Sequence, residues 1–352
     1  MLVNQIIKLI LLLISEPGPT IRRIYLIIER KYLKNAKVIC EPVIVKINTG
    51  YKCNLHCPLC PTGRNEKKKI GDLKLDEAEF IVNRIGKAYR IQLFGWGEPY
   101  LNNEIFQIIS FLKRSNKYIR IDSNLNINND KILDSIAKSN IDELSVSLDG
   151  IDQKSYSEYR YGGSFDIVFR NLLKLIKSPC KPKIIIWQYL VSKKNIEYVE
   201  RAKIIAQKNN ICIRFSDIGM YQDMFYYNSK RLEHEWRTEE QIGRMKNFCK
   251  IGEVCKYMYN DPFIDPDGKV YPCCNAARVP VFLLEKGYEN VFGNLHKNTL
   301  FEIWNNEYYQ CIRKLFAGRK YSNAKIKPIC LACKVYLDSR GLNSNEMPLF
   351  DG

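Results

Sequence analysis

The 352-residue sequence has no apolar run long enough to cross a bilayer. Its most apolar stretch, Ile6 to Ile14, spans nine residues and is broken by Lys8, whereas a spanning helix needs about 20. No basic segment precedes that stretch and no small-residue cleavage site follows it, so a secretory signal is not expected. Acidic charge is also scarce: 38 Asp and Glu face 55 Lys and Arg, a formal charge of +17. The excess favours an acidic partner or surface. No RNA- or DNA-binding module is visible, however, and the run Arg64 to Lys69 reads as a solvated loop, so no nucleic-acid partner is expected. With 46% hydrophobic and 26% charged residues, the chain is not a disordered one. Its length suits two domains, or three.

What the sequence has in unusual number is cysteine, 13 in all. An odd, unevenly spaced set without a cleavable signal argues against a disulfide framework. It points to thiolates in a reducing, cytoplasmic compartment that hold metal or do chemistry. Near the N-terminus, Arg22, Arg23, Arg30, Lys31, Lys34 and Lys37 are interleaved with Ile24, Leu26, Ile27, Ile28 and Leu33. The pattern predicts one or two amphipathic helices over 1–41. Packing against the main domain is the first reading, because apolar helical faces usually meet protein. Peripheral contact with the anionic inner membrane surface is the second.

From residue 42 short β-branched or aromatic runs alternate with stretches of helical period. Strands are expected at Pro42 to Ile47, Arg90 to Phe94, Ile119 to Asp122, Glu143 to Leu148, Ile184 to Leu190 and Cys212 to Ser216. Helices are expected at Asp76 to Ala88, Glu104 to Ser115, Asp130 to Lys138, Ser164 to Lys177 and Asn195 to Lys208. Such alternation predicts an α/β fold with a parallel sheet, open or closed into a partial barrel. Reactive loops then follow the C-terminal strand ends. After about residue 245 cysteines, aromatics and turn signals such as Asp265-Pro266-Asp267-Gly268 replace the pattern, marking a smaller second domain.

Just after the first expected strand stands Cys53-x3-Cys57-x2-Cys60. Chance places that spacing in such a chain roughly 0.02 times. Zinc generally takes four ligands and this loop offers three thiolates. Three thiolates on an iron–sulfur cube leave one iron open to an exogenous ligand. His56 is a poor fourth ligand, since a residue beside Cys57 has to reach back into the same small loop.

On these residues the sequence resembles the radical SAM superfamily, whose three-cysteine loop follows the first strand of a partial (β/α)6, TIM-like barrel. The resemblance implies a [4Fe–4S] cluster whose open iron chelates S-adenosylmethionine. One electron then cleaves the bound molecule to methionine and a 5′-deoxyadenosyl radical that abstracts hydrogen from substrate. Gly95-Trp96-Gly97-Glu98-Pro99 resembles the family's GGEP motif, with Trp96 in place of a glycine, and implies that Gly95, Gly97, Glu98 and Pro99 receive the methionine amino group. Ser123-Asn124-Leu125-Asn126 resembles its S-T-N-G turn and departs from it at Leu125 and Asn126. Ser147-Leu148-Asp149-Gly150 resembles its SxDG strand end, and Tyr156 to Gly163 the segment that follows. By resemblance Ser123, Asn124, Ser147 and Asp149 face the cofactor and Arg160 meets a carboxylate. Leu59 stands where many relatives carry an aromatic, which makes the adenine contact aliphatic. Trp187, Arg214, Asp217 and Tyr221 are candidate substrate-pocket residues at or beyond the last two strands.

The text after residue 245 resembles a SPASM or shortened twitch auxiliary-cluster domain. Its pieces are Cys255, then Asp265 to Cys273, then Phe292-Gly293-Asn294-Leu295 leading into Leu300 to Trp304, and the closing Cys330-x2-Cys333. Seven cysteines lie beyond residue 245, and two fully thiolate-ligated cubes need eight. One auxiliary [4Fe–4S] cluster is therefore expected, on Cys255, Cys273, Cys330 and Cys333. Cys274 is the rival of Cys273, and structural zinc is the rival metal. Cys40, Cys180, Cys212, Cys249 and Cys311 are expected to be packed cysteines. The expected domains are 1–41, a core barrel at 42–245, a cluster domain at 246–340 and a tail at 341–352.

The leading expectation is an oxidation or bond-forming modification of a small molecule, sugar or lipid-linked intermediate, with a reductase or flavodoxin- or ferredoxin-type protein as electron donor. A maturase acting on a ribosomally made peptide is the alternative. A metal-stapled binding protein without turnover is the alternative of another class.

Overall fold

The computed structural model describes residues 16–64, 71–218, 225, 235–246, 250–320 and 326–342. Helix α1 (Pro17–Ile28) runs into a π-helical turn, Glu29–Leu33. The chain then alternates β1 (Ile44–Ile47), α2 (Leu75–Arg84), β2 (Arg90–Leu93), α3 (Ile105–Arg114), β3 (Tyr118–Ser123), α4 (Asp130–Lys138), β4 (Glu143–Ser147), α5 (Phe165–Lys177), β5 (Ile184–Val191), α6 (Val199–Lys208) and β6 (Cys212–Asp217). Local signals explain the helix starts. Asn129 accepts from the Lys131 and Ile132 amides to cap α4, and Ser164 accepts from the Ile167 amide to cap α5. Ile105, Ile108, Ile109 and Leu112 bury the core-facing stripe of α3.

Strands β1 to β6 pair in parallel, in sequence order. Their alternation sorts residues between two environments. Ile91, Leu93, Ile119, Ile121, Leu144 and Val146 are buried in the layer under the helices. Gln92, Arg120, Asp122, Ser145, Ser147, Gln188 and Ser216 line an inner cavity. The expected strands and helices are all present, with ends shifted by a few residues.

The sheet does not stop at six strands. After the barrel, β7 (Phe263–Ile264), β8 (Lys269–Tyr271) and β9 (Gly293–Asn294) extend it, giving the order β6-β5-β4-β3-β2-β1-β7-β8-β9. Strand β7 pairs parallel with β1, and the β7–β8 hairpin is antiparallel. Gly268, at φ +73°, closes that turn, where the left-handed region favours glycine. The cysteine-rich segment is thus continuous with the barrel sheet.

The N-terminal extension packs on both parts. Glu16 Oε1 accepts from Tyr89 Oη at 2.8 Å beside β2, and Tyr259 Oη donates to the Asn35 carbonyl at 2.9 Å. Helix α7 (Glu307–Phe316) supplies Arg313, which is fully buried. Its guanidinium donates to the carbonyls of Met258 (2.8 Å), Ala36 (3.0 Å) and Trp304 (2.7 Å) and lies over the rings of Tyr259, Trp304 and Tyr309. No helix of the described residues is long and apolar enough to cross a membrane.

Candidate functional site

The loop after β1 is fastened from three sides. Asn48 Nδ2 donates to Asp265 Oδ1 at 2.9 Å and Tyr51 Oη donates to the same oxygen at 2.7 Å, which ties the loop to the β7–β8 turn. The Glu98 amide donates to the Lys52 carbonyl at 2.7 Å. Asn54 Nδ2 donates to the Asn126 carbonyl at 2.7 Å, while Asn124 Nδ2 donates to Asn54 Oδ1 at 2.9 Å and approaches Cys53 Sγ at 3.7 Å. The glycines of the next loop permit this packing. A Cβ at Gly97 stands 2.5 Å from the Lys52 carbonyl oxygen, and one at Gly95 stands 1.9 Å from Asn48 Oδ1.

Cys53, Cys57 and Cys60 all line the inner cavity. Burial pushes the Cys53 thiol up to about 11 and raises Cys57, with neighbouring thiolates adding to both. Cationic iron reverses that cost, because a coordinating thiol is deprotonated outright. Arg160 Nη1 lies 3.8 Å from Cys57 Sγ and supplies positive charge there. Its Nε donates to Asp149 Oδ2 at 2.5 Å, and Asp149 Oδ1 accepts from the Leu190 amide at 2.7 Å. Asp149 is fully buried behind Arg160, and neither it nor Pro99 lines the cavity. His56 is exposed and also off the cavity.

Glu98 is buried, accepting from Ser123 Oγ (2.7 Å), the Asn124 amide (2.7 Å) and the Tyr100 amide (3.2 Å). Desolvation raises its carboxyl to about 7 despite these donors. Gly95, Gly97, Glu98, Ser123, Asn124, Ser147 and Arg160 all line the cavity.

The same cavity, of about 730 Å³, is lined by a second set, Cys255, Cys273, Cys330 and Cys333. Burial first, and then the charges of Cys273, Cys333 and Cys255, push the Cys330 thiol well up. Cys333 is raised to about 12 by burial and Cys255. Cys274 also reaches the cavity, but after burial its strongest influences are Lys46 and Asp261 rather than the other cysteines. Cys249 lies outside the described residues. Among the described residues no three His, Cys, Asp or Glu side chains stand close enough to share one metal ion. A cube, whose irons each take one thiolate, asks for a wider set. Both groups of cysteines suit a cluster in donor chemistry and in shared access to one cavity.

Several expectations need correction. Trp187 is fully buried with Nε1 donating to the Leu148 carbonyl at 2.5 Å, and Arg214 lies off the cavity near Glu143; of the described residues expected in the pocket, only Asp217 lines it. Tyr221 is outside the described residues. Cys180 and Cys212 are exposed and Cys40 is half-buried, so of the described cysteines expected to be packed Cys311 alone is buried. The residues that the sequence reading missed are the clamps Asn48, Tyr51, Asn54 and Asp265, and the cavity floor of Lys46, Gln92, Arg120 and Asp122. There Gln92 Nε2 donates to Asp122 Oδ2 at 2.6 Å, and Arg120 bridges Asp122 and Glu143 at 2.8 and 2.9 Å. The period of two in β2 and β3 was the available signal for that floor.

Family comparison joins these two cysteine sets to known proteins. Residues 47–203 match the Radical SAM superfamily and residues 255–334 match SPASM, an iron–sulfur cluster-binding domain. The chain belongs to the radical SAM superfamily and carries a C-terminal SPASM domain. It is 23% identical over 158 residues to the AdoMet-dependent heme synthase of Methanosarcina barkeri, a match covering 44% of each chain and so less than half of that relative. It is 20% identical over 288 residues to the mycofactocin maturase MftC of Mycobacterium tuberculosis, covering 72% of this chain and 71% of that one. The Streptococcus suis SuiB structure bound to S-adenosylmethionine shares the fold at a TM-score of 0.58 and 15% identity, over 86% of this chain and 73% of SuiB. The two matched models are a radical SAM core and an iron–sulfur cluster-binding domain, and both cysteine sets have the donor chemistry of iron–sulfur ligands.

Proposed function

We propose that this radical SAM/SPASM enzyme modifies a peptide. In this reading Cys53, Cys57 and Cys60 hold the radical-generating cluster, and Cys255, Cys273, Cys330 and Cys333 hold one auxiliary cluster. The core barrel spans 42–245 and the cluster domain 246–340. The observation that carries the reading is the one cavity into which both cysteine sets open. The bound cluster and S-adenosylmethionine supply the 5′-deoxyadenosyl radical that removes a hydrogen atom from substrate. The protein's own residues do the positioning. Glu98 and the backbone at Gly95 and Gly97 receive the methionine amino group, Ser123 and Asn124 hold Glu98 in place, and Ser147 and Arg160 line the same cavity. Asp149 acts through Arg160, and Pro99 fixes the turn after Glu98.

The substrate class follows from space and relatives. A cavity of about 730 Å³ falls in the range of one small-molecule site, about 300–1,000 Å³. With S-adenosylmethionine in place, a side chain of a peptide fits better than a large free substrate. MftC is named a maturase, and SuiB has been crystallised with a precursor peptide. The polar floor of Lys46, Gln92, Arg120 and Asp122 favours a second reading, oxidation or bond formation on a polar small molecule, sugar or lipid-linked intermediate. An acidic flavodoxin- or ferredoxin-type donor suits the chain's +17 charge.

Anaerobic reconstitution followed by incubation with S-adenosylmethionine, a reductant and candidate peptides tests the reading. About eight irons per chain, 5′-deoxyadenosine and a mass change on a peptide are expected. 5′-Deoxyadenosine formed with every peptide unchanged overturns the peptide assignment in favour of the small molecule. Stoichiometric zinc without cleavage overturns the enzyme reading and leaves a binding protein.

A further inference from the structure

The N-terminal helix is amphipathic in two directions. Thr20, Leu26 and Glu29 are buried against the protein, while Ile21 (59% exposed), Ile28 (41%) and Tyr32 (76%) stand outside. Their spacing of seven and then four residues follows one helical stripe. Ile27 and Leu33 are also exposed on this segment. The fixed ends show that the outward face is a property of the folded protein. Glu16 is held by Tyr89 at one end, and at the other Lys34 Nζ donates to the Gly252 carbonyl at 3.2 Å, next to Ile251, which is 80% exposed.

Charge on this face has one sign. Arg23 and Lys31 are exposed, and Glu29, the only carboxylate of residues 17–33, is buried. The sequence leading into the helix, outside the described residues, is apolar from Ile6 to Ile14 but for Lys8. An apolar stripe flanked by cations and preceded by more apolar sequence matches the interfacial plane of an anionic bilayer better than an acidic protein, which offers no apolar layer for isoleucines to enter.

We infer that the outward face of α1 and its π-helical turn docks the enzyme on an anionic membrane surface. Ile21, Ile28 and Tyr32 enter the headgroup–acyl boundary, and Arg23 and Lys31 meet lipid phosphates. Tyr89 directly precedes β2, so its bond to Glu16 sets the start of α1 at the N-terminal end of the strands, opposite the three-cysteine loop, while Arg30 of the π-helical turn borders the cavity from the other end of the segment.

Flotation of the reconstituted full chain with vesicles tests this. Phosphatidylcholine vesicles holding about 30 mol% phosphatidylglycerol should retain it at least roughly tenfold better than phosphatidylcholine alone, with the difference shrinking in high salt. The combined substitutions Ile21→Glu, Ile28→Glu and Tyr32→Glu should lower partitioning roughly tenfold or more. Arg23→Glu with Lys31→Glu should do so for anionic vesicles alone. Both variants should keep the parent's melting temperature and its cleavage of S-adenosylmethionine in solution. Equal binding to neutral vesicles, or stripe variants that partition like the parent, overturns the inference. So does a parent that forms a stripe-dependent dimer, or binds an acidic electron carrier through the stripe, without binding vesicles.

Discussion

Each of the two cysteine sets has an arginine nearby, Arg160 half-buried at the cavity and Arg313 fully buried, and their charges are accommodated in opposite ways. Arg160, in the barrel, is paired with the fully buried Asp149, and its guanidinium is held well above its ordinary value, burial being outweighed by Asp149 and the Cys57 thiolate. Arg313, in the C-terminal part, has three carbonyls and three aromatic faces but no carboxylate in hydrogen-bond contact, and burial pushes it down to about 10. Arg160 is an electrostatic device: its second nitrogen reaches Cys57 Sγ, and Asp149 offsets the cost of desolvating it. Arg313 is a structural one. It gathers the carbonyl ends of the N-terminal extension, the Cys255 turn and the helix before α7 around one planar fork. Charge near the first set serves chemistry, and charge near the second serves assembly.

The sharpest way to break the contrast is to remove each set in turn. Replacing Cys53, Cys57 and Cys60 with Ala should abolish 5′-deoxyadenosine formation and remove about half the iron. Replacing Cys255, Cys273, Cys330 and Cys333 with Ala should remove the other half and leave cleavage of S-adenosylmethionine measurable. Iron analysis and product chromatography check both. The arginines come next. Arg313→Met leaves three carbonyls unanswered and should cost about 3–5 kcal/mol in denaturant unfolding. Arg160→Met together with Asp149→Asn removes both charges, so it should cost less stability than Arg313→Met while still impairing S-adenosylmethionine cleavage.

A smaller effect belongs to Glu98. Its carboxyl is raised from 4.5 to about 7 by burial, so the stability it contributes is full below pH 4.5 and is lost as pH rises through about 7. An amino N–H donating to the ionised carboxylate offsets that loss. Binding of S-adenosylmethionine should therefore tighten by up to about tenfold per unit between pH 6 and 7 and level off above, whereas Glu98→Gln should flatten the profile. Equilibrium binding on the anaerobic holoenzyme measures it. The smallest effect is Cys274→Ser, which should leave the iron content unchanged, while Cys273→Ser should lower it.

The order of strands and helices was legible because each element carries its own period and caps. The three-cysteine loop and the Gly-Trp-Gly-Glu-Pro turn were legible because all their residues are local. What escaped is of two kinds. Trp187 and Gln188 are neighbours on one strand, and only the pairing of Ser147 with Gln188 fixes which of them faces inward. Asp265 sits in a run that reads as a turn, and its bonds to Asn48 and Tyr51 cross 217 and 214 residues. No local pattern encodes such a distance. Cys180 and Cys212 were misjudged because burial of a cysteine depends on neighbours brought by the fold.

The parallel pairing of β7 with β1 also has a consequence for how the molecule is made. Asn48 waits for a partner 217 residues further along the chain. At ordinary synthesis rates of about 5–20 residues per second that is roughly 10–40 s. Throughout that interval the first strand has one unsatisfied edge, a template for pairing with another chain. The loop with Cys53, Cys57 and Cys60 is meanwhile held on fewer sides than in the finished protein. Aggregation of nascent chains and delivery of iron to that loop therefore compete within the same window, which closes when residues 263–265 arrive.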